Sequence, residues 1–231
     1  MKVYENLVAI EGIDGSGKAT QTGLISNYFS KKIGKSVLQM SFPQYGQPSA
    51  VFAEKYLNGE YGGADDVAAD LGSLIFALDR FAAKPIIENH LNYPNSIGIL
   101  DRFVGANLAH QGTKIPDRDS RLEFYERIRM TEFEIFEIPK PIMNIVLLLS
   151  TDIAQINVDS KSSRSYTTKR RDIHEESASH LDRASANYIE LCQIYPDEFT
   201  PIQCIDETGR MRTPEDIQTE VQQILRNVLN I

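Results

Sequence analysis

The sequence lacks the long apolar segment of a membrane-spanning protein and the cysteine-rich pattern of a disulfide-stabilised one. Its longest apolar run, residues 145–149, is far too short to cross a bilayer. Residues 1–11 carry two acidic side chains and no long apolar core, so a signal peptide is not expected there. The only cysteines, Cys192 and Cys204, lack metal-ligand spacing, so we expect reduced thiols, with a disulfide as the alternative. These absences predict a cytoplasmic protein without a membrane partner.

A surplus of basic residues is also missing. The chain has 24 Lys and Arg against 32 Asp and Glu, a net charge of −8, which argues against a broad nucleic-acid-binding surface. Its 231 residues are 42% hydrophobic and 24% charged, as in ordinary globular proteins. A chain of this length can bury a sizeable core, and we expect one α/β domain over residues 1–231 rather than two separate domains.

Short apolar runs alternate with helical patterns along the chain. The predicted strands are residues 7–10, 36–42, 97–100, 144–149 and 201–205. The predicted helices are residues 18–29, 49–57, 66–91, 119–137, a short one from 151, 175–195, and a last one from 214 that Thr213 caps. Pro85 predicts a kink or a break in the third of these helices. This alternation predicts a five-stranded parallel sheet with helices on both faces.

A glycine-rich segment follows the first predicted strand and opens the first predicted helix. It reads Gly12-Ile13-Asp14-Gly15-Ser16-Gly17-Lys18-Ala19-Thr20. Gly12, Gly17 and Lys18 fit the phosphate-loop pattern G-x-x-x-x-G-K, whereas Ala19 replaces the usual hydroxyl residue. In such loops backbone N–H groups curl around phosphate oxygens, and the lysine and the helix N-terminus add positive charge. We expect all nine residues to bind nucleotide phosphates, with an ordinary glycine-rich turn as the alternative.

Two aspartates and an arginine stand at or near predicted strand ends. Asp14 lies in the loop, where an acid repels phosphate, so we expect it to bind a sugar hydroxyl or help to hold Mg²⁺; a loop-stabilising turn is the alternative. Asp101 has the position of the magnesium-associated aspartate of P-loop enzymes, and Arg102 can fork onto a phosphate. A strand-terminal salt bridge is the alternative for this pair. We expect the glycine loop, residues 43–46 and Asp101–Arg102 at one edge of the sheet.

Two further segments have a composition that suits a nucleotide. Phe76 and Arg80 share a helix face, where a ring can stack on a base and a guanidinium can hydrogen bond its carbonyl; core packing is the alternative for Phe76. Residues 160–172 form a polar, basic linker, which suits a mobile arm that closes over a triphosphate. A solvated charge run or a nuclear-import-like cluster is the alternative for the linker.

Together these motifs resemble the thymidylate kinase family of P-loop nucleoside monophosphate kinases. The likeness runs from Leu7 to about Leu191, and its matching stretches are residues 9–15, 42–46, 74–80 and 101–107. The resemblance implies a three-layer P-loop α/β fold with a LID segment at about residues 160–173. It also implies transfer of the γ-phosphate of ATP to dTMP with Mg²⁺, and a homodimer. A broader pyrimidine monophosphate kinase that accepts UMP or dUMP, and a non-catalytic nucleotide-binding protein, remain as alternatives.

The resemblance implies roles for individual residues. The implied catalytic residues are Lys18, Asp14, Arg102, Arg164, Arg170 and Arg171. The implied residues around dTMP are Asp14, Phe42, Tyr45, Phe76, Arg80, Arg102, Asn107, His110 and His174. The implied metal-holding residues are Asp14, Asp101 and Glu175. The ATP-binding residues are those of the glycine-rich loop.

Four positions depart from the family pattern. Ala19 removes the usual metal-binding hydroxyl, so we expect Mg²⁺ to be held chiefly from the acceptor side. Phe103 replaces the tyrosine of an Asp-Arg-Tyr motif. His110 stands where a tyrosine commonly packs under the deoxyribose, which leaves ribonucleotides open as acceptors, and His174 stands where an aromatic residue is common.

Overall fold

The computed structural model of the protein describes residues 2–159, 173 and 178–231. The strands in this part of the chain are β1 (Val3–Glu11), β2 (Ser36–Ser41), β3 (Ser96–Asp101), β4 (Lys140–Leu148) and β5 (Phe199–Gln203). They form one parallel sheet in the order β2-β3-β1-β4-β5. The predicted five-stranded parallel sheet is therefore confirmed.

Helices connect the strands. They are α1 (Lys18–Tyr28), α2 (Val51–Leu57), α3 (Ala69–Leu91), α4 (Val104–Gly112), α5 (Arg118–Met130), α6 (Thr151–Asp159), α7 (Ala178–Ile194) and α8 (Pro214–Val228). Single π-helical turns, Phe29–Ile33 and Thr131–Ile135, extend α1 and α5. Thr213 caps α8 as predicted, since its side chain accepts the Asp216 N–H. Across the described ranges, no helix combines the length and the apolar character that a membrane crossing requires.

The helices differ from the sequence predictions in two places. Of the predicted kink or break at Pro85, the break does not occur, because α3 continues through the proline to Leu91. Ala83 and Ile87 on either side of the proline are buried, so packing offsets the lost hydrogen bond. Helix α4 was not predicted at all. Its glycines, Gly105 and Gly112, lower its intrinsic helix propensity, and contacts with α3, α5 and α7 supply the stability that its own sequence lacks.

The core lies on both faces of the sheet. Leu7, Ile99 and Ile145 on the three central strands are fully buried. Helices α1 and α8 pack together on one side, and α3, α4, α5 and α7 form a second group that also contacts the sheet. Cys192 and Cys204 are free thiols, as expected.

Strand register determines where the polar ends of the strands meet. Asp101 at the end of β3 pairs with Ile10 of β1 and with Ser41 of β2. The backbone continues this alignment, since Arg102 N donates to Ile10 O at 2.9 Å and Phe42 N donates to Asp101 O at 3.0 Å. The glycine loop, the loop after β2 and Arg102 therefore lie at one edge, as predicted.

Glu11, the last residue of β1, joins the sheet to two helices. Its fully buried carboxyl group accepts the backbone N–H of Phe103, just before α4, at 2.9 Å, and the hydroxyl of Tyr188 in α7 at 3.1 Å. Burial raises the pKa of Glu11 to about 7, although Arg102 and these hydrogen bonds oppose the rise. The junction is tightly packed and sensitive to both volume and charge.

The first prediction concerns volume at this junction. A methyl group at Gly105 would lie 2.8 Å from Glu11 Oε1 and 2.9 Å from the Phe199 ring, whereas one at Gly23 in α1 meets nothing within 4 Å. We expect Gly105→Ala to lower the free energy of unfolding by about 1–3 kcal/mol through overpacking. The control, Gly23→Ala, should raise it by about 0.5–1 kcal/mol through helix propensity. Urea denaturation measures both, and shifts of the same sign would contradict the packing described.

The second prediction concerns the charge of Glu11. The pKa of Glu11 is about 7 in the folded protein, and its ordinary value is 4.5. Between these two pH values the carboxyl group is protonated in the folded state and ionised in the unfolded chain. Ionisation therefore removes stability as the pH rises through this window. From about pH 5 to about pH 8 the wild type should lose roughly 2–3 kcal/mol of unfolding free energy relative to Glu11→Gln, which cannot ionise. Parallel stability curves for the two proteins would show that the carboxyl group is not perturbed.

Candidate active site

The glycine-rich loop encloses its own lysine. Gly15 and Gly17 have φ angles of 83° and 94°, in the left-handed region that favours glycine, and α1 begins at the next residue, Lys18. The buried Lys18 Nζ donates to Ile13 O at 2.9 Å across the loop. Asn157 of α6 donates to Gly15 O at 2.9 Å and supports the loop from outside. The local geometry is that of a helix N-terminus prepared for an anion.

Arg102 and Asp14 join this loop to the end of β3. The Arg102 Nη2 group lies 2.6 Å from Asp14 Oδ1, and Nη1 donates to Gly12 O at 3.3 Å. Burial works against both charges, but Arg102 and Lys18 hold the pKa of Asp14 well below its usual range, and Asp14 in turn holds the pKa of Arg102 above its own. Asp14 is therefore ionised at neutral pH, and the ion partner of Arg102 is Asp14 rather than the neighbouring Asp101.

A cavity opens beside this ion pair. The residues that line it are Asp14, Phe42, Pro43, Tyr45, Leu57, Phe76, Arg80, Arg102, Phe103, Ala106, Asn107, His110 and Gln111. All the predicted acceptor-binding residues that the structure describes are in this set. His174 lies outside the described residues. The described residues predicted from the sequence therefore line one connected cavity. Their individual roles stay predictions.

One buried carboxylate organises the polar end of the cavity. Glu132, in the π-helical turn after α5, binds Arg80 through two hydrogen bonds of 2.6 and 2.7 Å. It also accepts from Asn107 Nδ2 at 2.7 Å. Arg80 and Glu132 are 2% and 0% exposed, so this is a buried, bidentate pair. Sequence reasoning missed Glu132 because its helix is rich in charge and nothing local marks one acid among several.

Three polar atoms of the cavity wall remain unsatisfied within the described part of the chain. They are Oδ1 of Asn107 and both amide atoms of Gln111, and all are buried. Leaving such groups without partners costs stability, so buried orphans that line a cavity are suited to a ligand that supplies the partners. Gln111 was also missed, since it belongs to the unpredicted helix α4 and to no motif.

An aromatic ring lines the same cavity as the amides. Phe76 lines the cavity and packs edge-on against Tyr56, with ring centres 5.7 Å apart and an angle of 90°. It also packs against a smaller buried cluster with Tyr56 and Leu57, so the same residue contributes to the core and to the cavity wall. The ring is available for stacking with a planar ligand.

His110 closes the side of the cavity next to Arg102. Its Nε2 atom lies 3.2 Å from Arg102 Nη1, and its Nδ1 atom lies 3.3 Å from Nε2 of His180 in α7. His180 carries no motif and was not singled out from the sequence.

A metal ion is implied for this site, and its donor groups can be tested in part. In residues 2–159, 173 and 178–231 no three His, Cys, Asp or Glu side chains cluster as a metal site. The carboxylates of Asp14 and Asp101 are the hard oxygen donors that Mg²⁺ takes, usually one or two at a time with phosphates and waters. Glu175 and the arginines predicted for the LID, Arg164, Arg170 and Arg171, lie outside the described residues and stay predictions.

A second, shallow depression lies on the other side of the glycine loop. It is lined by residues between β5 and α8, among them Asp206, Met211 and Arg212. Asn157 connects it to the loop, since its amide contacts both Gly15 O and the Met211 sulfur. The loop therefore has a cavity on one side and an open surface on the other.

Comparisons with known proteins agree with this arrangement. Residues 10–212 match the family model described as Thymidylate kinase. A thymidylate kinase of Mycobacterium tuberculosis strain H37Rv is 33% identical over 190 residues, which cover 80% of this chain and 85% of that protein. A probable thymidylate kinase of Pyrobaculum aerophilum is 28% identical over 229 residues, which cover 96% and 97% of the two chains.

Solved structures show the same fold. The thymidylate kinase of Candida albicans superposes with a TM-score of 0.71 at 18% sequence identity, over 98% of this chain and 93% of that one. That of Ehrlichia chaffeensis superposes with a TM-score of 0.66 at 19% identity, over 95% and 97%. With a family model that spans most of its length and a phosphate loop beside a cavity lined by aromatic and amide side chains, this chain belongs to the thymidylate kinase family of phosphotransferases.

Proposed function

We propose that this protein transfers the γ-phosphate of ATP to dTMP, giving ADP and dTDP. The observation that carries the proposal is the single cavity that joins Asp14 and Arg102, at the phosphate loop, to the aromatic and amide groups of α3 and α4. A nucleoside monophosphate in this cavity has its phosphate beside the loop and its base at the far end. Membership of the thymidylate kinase family supports dTMP as that acceptor.

The polar atoms of the cavity suit a thymine base. Asn107 Oδ1 is an acceptor without a partner in the described structure, which suits the ring N3–H. Gln111 offers a donor and an acceptor in the same wall, and the Arg80 guanidinium, held by Glu132, offers further donors to a carbonyl oxygen. Phe76 stacks on the ring. Satisfying these buried groups favours a pyrimidine over a ligand that lacks hydrogen-bonding edges.

The proposed phosphoryl transfer depends on positioning and positive charge rather than on a general base. The attacking oxygen belongs to a phosphate that is already anionic, so no proton has to be removed from it by a side chain. Lys18 and Arg102 place two positive charges where the donor and acceptor phosphates meet. We propose that three arginines of the LID add further positive charge to these phosphates: Arg164, Arg170 and Arg171. We also propose that His174 lies beside the acceptor.

Mg²⁺ would be held by Asp14, Asp101 and Glu175, together with phosphate oxygens and water. When bound, the ion neutralises charge on the transferring phosphoryl group. This set of magnesium ligands agrees with Ala19, which leaves the first turn of α1 without the usual hydroxyl ligand. On the donor side, the phosphates lie on residues 12–20, and the depression between β5 and α8 is the nearest surface for the purine base.

We further propose that residues 1–231 act as one cytoplasmic kinase domain without a nucleic-acid or membrane partner. The single sheet of the described chain supports one domain, and the net charge of −8 argues against a nucleic-acid partner.

The decisive experiment is a coupled assay of ADP release with four acceptors: dTMP, dUMP, UMP and dCMP. We expect the highest kcat/KM with dTMP. A higher value with UMP would favour the broader pyrimidine kinase that His110 leaves open. No ADP release with any acceptor would favour a non-catalytic nucleotide-binding protein.

The third prediction concerns Lys18 in the same assay. We expect Lys18→Ala to lower kcat about a hundredfold, because it removes one preorganised positive charge. Lys31→Ala, which removes an exposed lysine from the turn after α1, is the matched control and should leave kcat unchanged. Circular dichroism checks that the variants are folded. Turnover near the wild-type level in folded Lys18→Ala would refute the assignment of this loop.

The fourth prediction concerns the homodimer that we propose. Leu71, Leu74, Leu78 and Phe81 recur at helical spacing along α3 and are 38–55% exposed. An exposed apolar stripe of this kind marks an interaction surface, and a second copy offers the same stripe. Light scattering should give the mass of a dimer for the wild type and for Ile156→Glu, which changes an exposed residue of α6 outside this stripe. Leu78→Glu should give a monomer. A monomeric wild type would exclude the dimer.

A further inference from the structure

Two buried histidines connect the acceptor cavity to the interior of the helical layer. His110 in α4 and His180 in α7 are 5% and 1% exposed, and their rings stack with centres 5.5 Å apart. Four contacts run in series. Arg102 Nη1 lies 3.2 Å from His110 Nε2, His110 Nδ1 lies 3.3 Å from His180 Nε2, and His180 Nδ1 lies 3.3 Å from Thr113 Oγ1. Thr113 Oγ1 donates to the His110 carbonyl at 2.8 Å.

The direction of this series follows from its first member. A guanidinium group can only donate, so His110 Nε2 accepts and the proton of the neutral ring is on Nδ1. That N–H donates to His180 Nε2, so the proton of His180 is also on Nδ1 and points to Thr113. Burial lowers the pKa of His180 to about 4, in agreement with a neutral ring. One arginine thus determines the tautomer of two histidines.

The same series constrains the arginine. Arg102 has a left-handed backbone, with φ of 63°, and its Nη1 group donates both to Gly12 O and to His110. Without an acceptor at His180 Nε2, the His110 proton is no longer held on Nδ1. With that proton on Nε2, His110 would point an N–H at the N–H groups of Arg102, two donors facing each other. The guanidinium would then have to move away from the position that it shares with Asp14.

We propose that His180 is a positioning residue: through His110 it holds the Arg102 guanidinium in the orientation that receives the acceptor phosphate. The inference rests on the proposed function for the identity of that phosphate. His180 itself does not line the cavity. It contributes its Nε2 atom, an acceptor of fixed direction that lies behind the His110 ring, and His110 is the histidine that lines the cavity.

The first test uses the free protein and needs no substrate. Nitrogen-15 NMR at neutral pH should show His110 and His180 neutral and protonated on Nδ1, with assignments from single His→Gln variants. A charged ring, or a proton on Nε2 of either residue, would overturn the proposal. In His180→Leu the side-chain signals of Arg102 should shift, whereas His180→Gln, whose amide oxygen can accept from His110, should leave them near the wild-type positions.

The second test is kinetic and uses the same two variants. We expect His180→Leu to raise the KM for dTMP about tenfold, the effect of a lost hydrogen bond to a charged group, with the KM for ATP unchanged. His180→Gln should restore most of the affinity. His90→Gln, near the amino ends of β2 and β3, is the control and should change neither KM.

The outcomes separate this inference from the proposed function. Equal effects of His180→Leu and His180→Gln, or equal effects on both substrates, would mean that His180 only supports packing. A wild type that does not phosphorylate dTMP would refute the proposed function. In that case the tautomers and the Arg102 signals still decide whether His180 positions the arginine.

Discussion

The ion pair between Arg102 and Asp14 is the contact around which the site is arranged. Arg102 follows β3, Asp14 lies in the loop after β1, and the backbone N–H of Arg102 donates to Ile10 of the adjacent strand. One pair of charges therefore connects the glycine-rich loop to the cavity beside it. Because the pair is partly buried and each charge stabilises the other, both groups stay ionised at the junction of the loop and the cavity. His110 and His180 extend this constraint into the helical layer.

Buried carboxyl groups hold the helices around this pair. Glu11 joins the end of β1 to α4 and α7, and Glu132 holds Arg80 and Asn107 from behind the cavity. Each carboxyl group is costly to bury and is compensated by several hydrogen bonds. By contrast, the amide of Gln111 has no partner within the described chain. Within the described chain, Asn107 and Gln111 are the cavity-lining residues with buried unsatisfied side-chain atoms, which a ligand in the cavity could satisfy.

Prediction from the sequence succeeded where the signal is local. Apolar runs located the five strands, and the glycine spacing located the loop that ends at Lys18, because buried parallel strands and positive φ angles impose strict residue preferences. It failed where partners are remote. The continuous helix through Pro85 and the existence of α4 both depend on packing that propensity does not describe. Gln111 and Glu132 escaped for the same reason, since no short motif contains them.

The amino-acid sequence by itself determined the parallel α/β architecture, the glycine-rich loop and a set of residues that the fold brings together around one cavity. It did so because hydrophobic periodicity, glycine and helix capping act within a few residues of one another. Only the tertiary structure decided which polar groups meet. Arg102 pairs with Asp14 rather than Asp101, Arg80 with Glu132, and His110 with His180, across 88, 52 and 70 residues of chain. Such partnerships depend on strand register and helix packing, which no local pattern encodes.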